Sequence, residues 1–243
     1  LEETVESEAR VDHEAPASRC RLGPATLGAV VRRLDAGRPR REPREGEEPQ
    51  HPGAVREGVR FVAGEEVRPR VGEAPVDEPL LAETVLRAGK RLKASTNPAE
   101  AVATDISFFI VPSPSLPDGS FSNEFLMRAM APIAQAVRKA KKKGHIFVCS
   151  STTTPGACRK VIIPMLEKEI GGKCGKDFSF CYNPEFIAIG DVVRGLLSPD
   201  MVLIGESDKR AGDLLEALYR KYNLNQPNIA RMFASVVGRP RPT

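Results

Sequence analysis

The chain has 243 residues, of which 41% are hydrophobic and 28% charged, with a formal net charge of +4. That is room for one large α/β domain, with an ordinary globular composition and too little net charge to mark a nucleic-acid binder. No apolar run reaches the ~20 residues needed to cross a bilayer, and Leu1-Glu2-Glu3-Thr4 is no secretory leader, so neither a membrane protein nor a secreted precursor is expected.

The averages hide two compositions. Residues 1–89 lack Lys, Ile, Asn, Met and Tyr, and Phe61 is their one aromatic. Arg32, Arg33, Arg38, Arg40, Arg41 and Arg44 crowd one stretch, interleaved with Glu, Pro and Gly. A segment so poor in large apolar side chains cannot offset its own ordering entropy, so residues 1–71 are expected to be low in order. The missing amino acids are largely those with A/T-rich codons, as in a GC-rich message translated out of frame. The tail, residues 233–243, has a similar composition.

From about Val76 strand and helix patterns alternate. Ile106-Ser107-Phe108-Phe109-Ile110-Val111 reads as a buried parallel strand. The turn-rich run from Pro112 to Gly119 follows, and Ser122 caps a helix striped by Leu126, Met130, Ile133 and Val137, with a kink expected at Pro132. Ile146–Cys149 is the next strand, and Thr154 with Pro155 starts a helix whose inner face is Val161, Met165 and Leu166. Phe178–Tyr182 and Met201–Ile204 are two further strands. Ser207 or Asp208 caps a last helix carrying Ala211, Leu214, Leu215, Leu218 and Tyr222 at helical spacing. The alternation predicts an α/β fold with a doubly wound parallel sheet, over residues 72–232, behind the low-order segment.

Such sheets bind ligands outside the carboxyl ends of their strands. Three strand ends therefore matter. Val111, Pro112, Ser113, Pro114 and Ser115 offer a rigid backbone and small hydroxyls suited to a ribose or phosphate, or simply a stiff connection. Ser150 to Thr154 bring five hydroxyls to a helix start, where free N–H groups favour an anion, although capping needs only one. Asn183-Pro184-Glu185-Phe186 puts a carboxylate beside an aromatic, as a general base or a sugar ligand, or as a solvated loop residue.

Together, Asp105 to Ser115, Ser151-Thr152-Thr153-Thr154-Pro155-Gly156, Asn183-Pro184-Glu185-Phe186 and Ser198 to Gly205 resemble, in order and spacing, the amino-terminal NAD domain of the UDP-glucose/GDP-mannose dehydrogenases. Pro75 to Pro79, Ser95 to Pro98 and Asn228 to Met232 are similar to the flanking family segments. The resemblance implies a cytoplasmic enzyme that oxidises the C6 alcohol of a nucleotide sugar to the carboxylate with NAD, as a homo-oligomer. It implies a partial Rossmann-like domain in which Val111, Pro112, Ser113, Pro114, Ser115, Ser151 and Thr152 line the NAD site. Thr152 would then lie near the nicotinamide and the catalytic water. Glu185 would act in thioester hydrolysis, and Glu185, Phe186, Ile187 and Ala188 would contact the sugar nucleotide.

The chain also departs from the family. Residues 1–71 hold no strand followed by a Gly-x-Gly-x-x-Gly turn; Ile189 stands where a second Glu is usual, and Leu80 where Gly is usual. The family's nucleophilic Cys, in a Gly-rich motif, and its catalytic Lys lie beyond this chain's end. Cys149, Cys158, Cys174 and Cys181 read as buried or incidental thiols, and the chain by itself is expected to be inactive. Two other readings stay open: a non-catalytic Rossmann-like binding module, and a basic nucleic-acid binder built on Lys139, Lys141, Lys142 and Lys143. The lysines close a helix, where cations suit the dipole, so no nucleic-acid partner is expected. His13, His51 and His145 have no metal-ligand spacing, and no metal is expected.

Overall fold

The computed structural model describes residues 27–31 and 59–62, as backbone, together with 74, 76–186, 188 and 190–233. Its sheet has eight strands: Leu27–Val31 (β1), Val59–Val62 (β2), Leu92–Ser95 (β3), Ile106–Ile110 (β4), Ile146–Cys149 (β5), Ser179–Tyr182 (β6), Met201–Glu206 (β7) and Asn228–Phe233 (β8). Their order is β3-β2-β1-β4-β5-β6-β7-β8. The helices are Leu81–Ala88 (α1), Glu124–Lys139 (α2), Ile163–Ile170 (α3), Val192–Leu197 (α4) and Lys209–Tyr222 (α5).

The core strands alternate as a sheet covered on both faces must. Phe109, Phe147, Cys149, Phe178 and Phe180 turn to one face, under Leu126, Met130, Ile133 and Val137 of α2 and Leu166 and Ile170 of α3. Ile106, Ile146, Val148, Cys181, Val202 and Ile204 turn to the other, under Ala211, Leu215, Leu218 and Tyr219 of α5. Strands β4, β5 and β6 are parallel, with Phe109 beside Cys149 and Cys149 beside Tyr182. This is the doubly wound α/β arrangement.

The sheet is mixed rather than wholly parallel. β7 runs antiparallel to β6, and β8 is parallel to β7 through the α5 crossover. The segment between β6 and β7 holds only α4, which buries Val193 alone. At six residues α4 is only about 9 Å long, too short to carry the chain along a sheet face to a parallel neighbour. At the other side, β1 runs antiparallel to β4, from Leu27 beside Ile110 to Val31 beside Ile106, and β2 joins β3 in parallel. Two short strands thus come from the segment in which no strand was expected; the rest of residues 1–73 and the tail from 234 lie outside the described residues.

Local details correct three further expectations. α2 spans Pro132 as one helix, and its N-cap is Asn123 rather than Ser122, which accepts the Glu124 N–H at 3.2 Å from just outside the helix. Thr154 does not cap with its hydroxyl, which accepts the Phe121 N–H at 2.9 Å instead. Val161 is 38% exposed rather than inward. A π-helical stretch, Cys158–Ile162, precedes α3 and widens the turn, so the buried stripe becomes Cys158, Ile162, Leu166 and Ile170.

Leu80, at the start of α1, adopts φ 66° with its side chain 46% exposed. This left-handed conformation costs a non-glycine residue roughly 1–2 kcal/mol. Leu80→Gly is expected to raise stability by about 1 kcal/mol, seen as a higher denaturation midpoint, because little burial is lost. An unchanged or lower midpoint would count against the strain.

Candidate functional site

The carboxyl ends of β4, β5 and β6 open at one edge of the sheet, and the three polar loops leave from there. The ladder continues past the strands: Ser150 and Ser151 donate their N–H groups to the Phe109 carbonyl at 3.0 and 3.3 Å, and Asn183 donates to the Cys149 carbonyl at 2.8 Å. The sequence-predicted residues are therefore brought together, with two exceptions in placement: Ile187 and Ile189 lie outside the described residues.

The hydroxyl run divides into separate tasks. Ser151, only 5% exposed, clasps the first loop: its Oγ accepts the Val111 N–H at 2.7 Å and donates to the Val111 carbonyl at 2.9 Å. Its hydroxyl is thereby saturated, and so is the Val111 N–H. Thr154 pins Phe121, and Thr153 Oγ1 lies 3.7 Å from Cys158 Sγ. Ser150 Oγ is buried without a partner among the described residues. Thr152 is exposed, and its hydroxyl has no partner among the described residues, so it is the one free to meet a ligand from solvent.

The first loop folds back on itself. Ser122 donates to the Pro114 carbonyl at 2.8 Å, and Ser115 bridges Phe121. Asp118 at the tip accepts the Ser120 hydroxyl at 2.6 Å and the Ser120 N–H at 2.9 Å, which hold its carboxyl below the usual range. Pro112, Pro114 and Ser115 are exposed and Ser113 is half-buried, so the hydroxyls of Ser113 and Ser115 line a preformed rim.

The third loop is anchored by a buried asparagine. Asn183 is 1% exposed, and its amide donates to the Leu203 carbonyl at 2.8 Å while accepting from the Tyr219 hydroxyl at 2.5 Å. Glu185, two residues on, lines a shallow open cleft with Pro184, Phe186, Leu196, Met201 and Tyr219. Burial pushes its carboxyl above the ordinary value. Phe186 is 57% exposed at the mouth, and Ala188 is exposed beyond it. Glu78, from the lead-in segment, accepts the Val192 N–H at 2.6 Å and ties that segment to α4.

The residues passed over in sequence are Asn183, Tyr219 and Glu78. Asn183 stands in an Asn-Pro pair that reads as an ordinary turn; the other two act across 36 and 114 residues, which no local pattern encodes.

The thiols are not presented as nucleophiles. Cys149, Cys158 and Cys181 are buried and Cys174 is partly so. A hydrogen bond to Cys158 and burial push Cys149 up, while burial pushes Cys174 and Cys181 up. The lysine run is largely structural: Lys142 donates to the Val102 and Thr104 carbonyls and to Asp105, and Lys143 pairs with Asp177. Among the described residues no helix is long and apolar enough to cross a membrane.

Residues 68–223 match the model of the "UDP-glucose/GDP-mannose dehydrogenase family, NAD binding domain". GDP-mannose 6-dehydrogenase of Pseudomonas putida is 36% identical over 154 residues, 62% of this chain and 35% of the relative. UDP-glucose 6-dehydrogenase of Haloferax volcanii is 36% identical over 149 residues, 61% of this chain and 34% of the relative. In three dimensions, a ternary complex of GDP-mannose dehydrogenase from Pseudomonas aeruginosa superposes with a TM-score of 0.63 at 32% identity, over 69% of this chain and 38% of that one. UDP-glucose dehydrogenase from Pyrobaculum islandicum gives 0.60 at 30% identity, over 67% and 37%. The match thus spans little more than a third of each relative.

Proposed function

Because the chain belongs to the UDP-glucose/GDP-mannose dehydrogenase family, through that family's NAD-binding domain, we propose that the edge formed by its three loops is part of the site of an NAD-dependent nucleotide-sugar 6-dehydrogenase. The observation that carries this reading is the convergence of the Val111–Ser115 rim, the free Thr152 hydroxyl and the half-buried Glu185 at one sheet edge.

When bound, NAD supplies the hydride acceptor. The residues present fit only part of it. The hydroxyls of Ser113, Ser115 and Thr152 suit the ribose and amide of a nicotinamide half. The pyrophosphate half needs a strand beside β4 that ends at this edge and turns through glycines into a helix. β1 fills that place in the opposite direction and ends, at Val31, at the far edge. No step is therefore routed through the complete cofactor on this chain.

The chain's own groups have clear tasks in this reading. Thr152 hydrogen-bonds the sugar's C6 oxygen or the water that attacks C6 in the thioester-hydrolysis half of the reaction. Glu185, raised toward neutrality by burial, accepts the proton of that water as a general base. Phe186 and Ala188 flank the cleft mouth and contact the sugar nucleotide; Ile187 joins them in the same reading. Ser151 acts by holding the Val111 rim against the second loop. The 243-residue chain by itself is inactive in this account, since Cys149, the thiol at this edge, is fully buried.

A binding module without catalysis is the second reading, favoured by the reversed β1. Both are tested by mixing the full chain with NAD and either UDP-glucose or GDP-mannose and following NADH formation and amide resonances together. Shifts confined to the three loops without NADH support the proposal. Shifts elsewhere would favour the binding module, and NADH formation would overturn the predicted inactivity.

A further inference from the structure

Tyr219 is far from Glu185 in sequence and on a different element, yet both line the same cleft. It is 7% exposed on α5, and its ring packs at 5.2 Å against Tyr222 one turn later. Its hydroxyl reaches the sheet by one hydrogen bond, to Asn183 Oδ1. Asn183 is otherwise held by its N–H on the Cys149 carbonyl of β5 and its amide on the Leu203 carbonyl of β7. Asn183 thus joins two strands and a helix, β5 through its backbone and β7 and α5 through its side chain, and Pro184, with its fixed φ, transmits that anchor to Glu185.

We infer that Tyr219 is a positioning residue for Glu185: acting through Asn183, its hydroxyl fixes the turn from which the Glu185 carboxyl enters the cleft. The inference rests on the reading of Glu185 as the acid–base group. Burial alone accounts for the displacement of its carboxyl, and the cleft lining holds no other charged side chain. The titratable groups facing it are the two α5 phenols. Both are pushed up chiefly by burial; the two phenols act on each other next, and the Glu185 charge adds a smaller upward push to each. A carboxyl kept in this position depends on how firmly its backbone is held, because any outward swing returns it to water.

The test follows the Glu185 carboxyl carbon by NMR in the ligand-free full chain, with Glu185→Gln to assign the signal. The wild-type midpoint is expected above those of exposed glutamates in the same spectrum. Tyr219→Phe keeps the ring but leaves Asn183 Oδ1 without its donor, so the midpoint should fall to that of the exposed glutamates. Tyr222→Phe, which leaves the Asn183 bond in place, should keep it displaced. If Tyr219 serves the fold alone, Tyr219→Phe lowers stability but leaves the Glu185 midpoint where it was, and that result overturns the inference. Should Tyr219→Phe not fold, the double variant Asn183→Leu/Tyr219→Phe replaces the polar pair with an apolar one, which restores packing without the brace. The same fall is expected there, and a retained displacement overturns the inference. No ligand enters these titrations, so their failure leaves the dehydrogenase reading standing, and failure of ligand binding leaves the brace standing.

Discussion

Gly212→Ala is expected to destabilise the protein by about 1–3 kcal/mol, the range for forcing an extra methyl into filled space. In an ordinary helix interior the same change would stabilise by up to about 1 kcal/mol. The reversal comes from what lies against the helix. A Cβ at Gly212 would stand 1.5 Å from Glu206 Oε2 and 2.5 Å from Arg231 Nη2. Glu206 is 6% exposed, and its carboxylate is gripped by Arg231 through Nε at 2.8 Å and Nη2 at 2.7 Å. The guanidinium also bonds Asp213 at 2.7 Å and Glu216 at 3.0 Å, so it joins β7, α5 and β8. An added methyl must shift the Glu206 carboxylate and the Arg231 guanidinium away from the helix and so distort that grip. Chemical denaturation measures the loss, and Gly212→Ala/Glu206→Ala, which removes the obstructed group, should recover much of it. A neutral or stabilising Gly212→Ala would contradict this packing.

The second large effect is acid lability. His145 is fully buried, with Nδ1 3.0 Å from the Thr104 carbonyl, Nε2 2.9 Å from Ser107 Oγ, and its ring edge-on to Phe147. A carbonyl only accepts, so Nδ1 carries the proton and Nε2 accepts from Ser107. Burial first, and the nearby Lys142 ammonium second, push the imidazole from 6.5 down to about 3. The folded state thus binds this proton less readily than the unfolded chain. Its contribution is complete above pH 6.5 and is lost as pH falls toward 3, at roughly 1.4 kcal/mol per pH unit. Asp118, Asp177, Asp213, Glu167 and Glu216, all held below their usual values, add losses only at lower pH, through the carboxylate range. Glu185 has the opposite sign, and its neutral form favours the fold as pH falls. Between pH 6.5 and 5 the slope belongs mainly to His145. His145→Gln should lower stability at neutral pH yet flatten that slope, and an unchanged slope would reject the assignment.

These two sites show which parts of the molecule can be read along the chain. β4, β5, α2 and α5 follow from periodicity, because their buried residues recur every second or every third to fourth position. α1 carries Leu81, Val85 and Ala88 on one face but buries none of them fully, so its stripe is short and weakly marked. The reversal of β7 goes with the shortness of α4, six residues, not with any residue of β7 itself. The π turn at Cys158 displaced the expected inner face by one position, an effect of backbone hydrogen bonding that side-chain pattern does not announce. At the site, the three loops were visible because each follows an apolar run. The division of labour among the hydroxyls was not, since Ser151 is spent on Val111 and Thr154 on Phe121, both long-range partners. Leu80 is the reverse case: a glycine position identified by resemblance is occupied by a residue with positive φ.

The most direct test of the proposed site compares NAD with nicotinamide mononucleotide on the isotope-labelled full chain. The account predicts shifts at Val111–Ser115, Ser151–Thr154 and Asn183–Phe186 for both, with no gain in affinity for NAD, because β1 runs the wrong way to supply a pyrophosphate turn. Much tighter binding of NAD, or shifts that avoid these three loops, would contradict it.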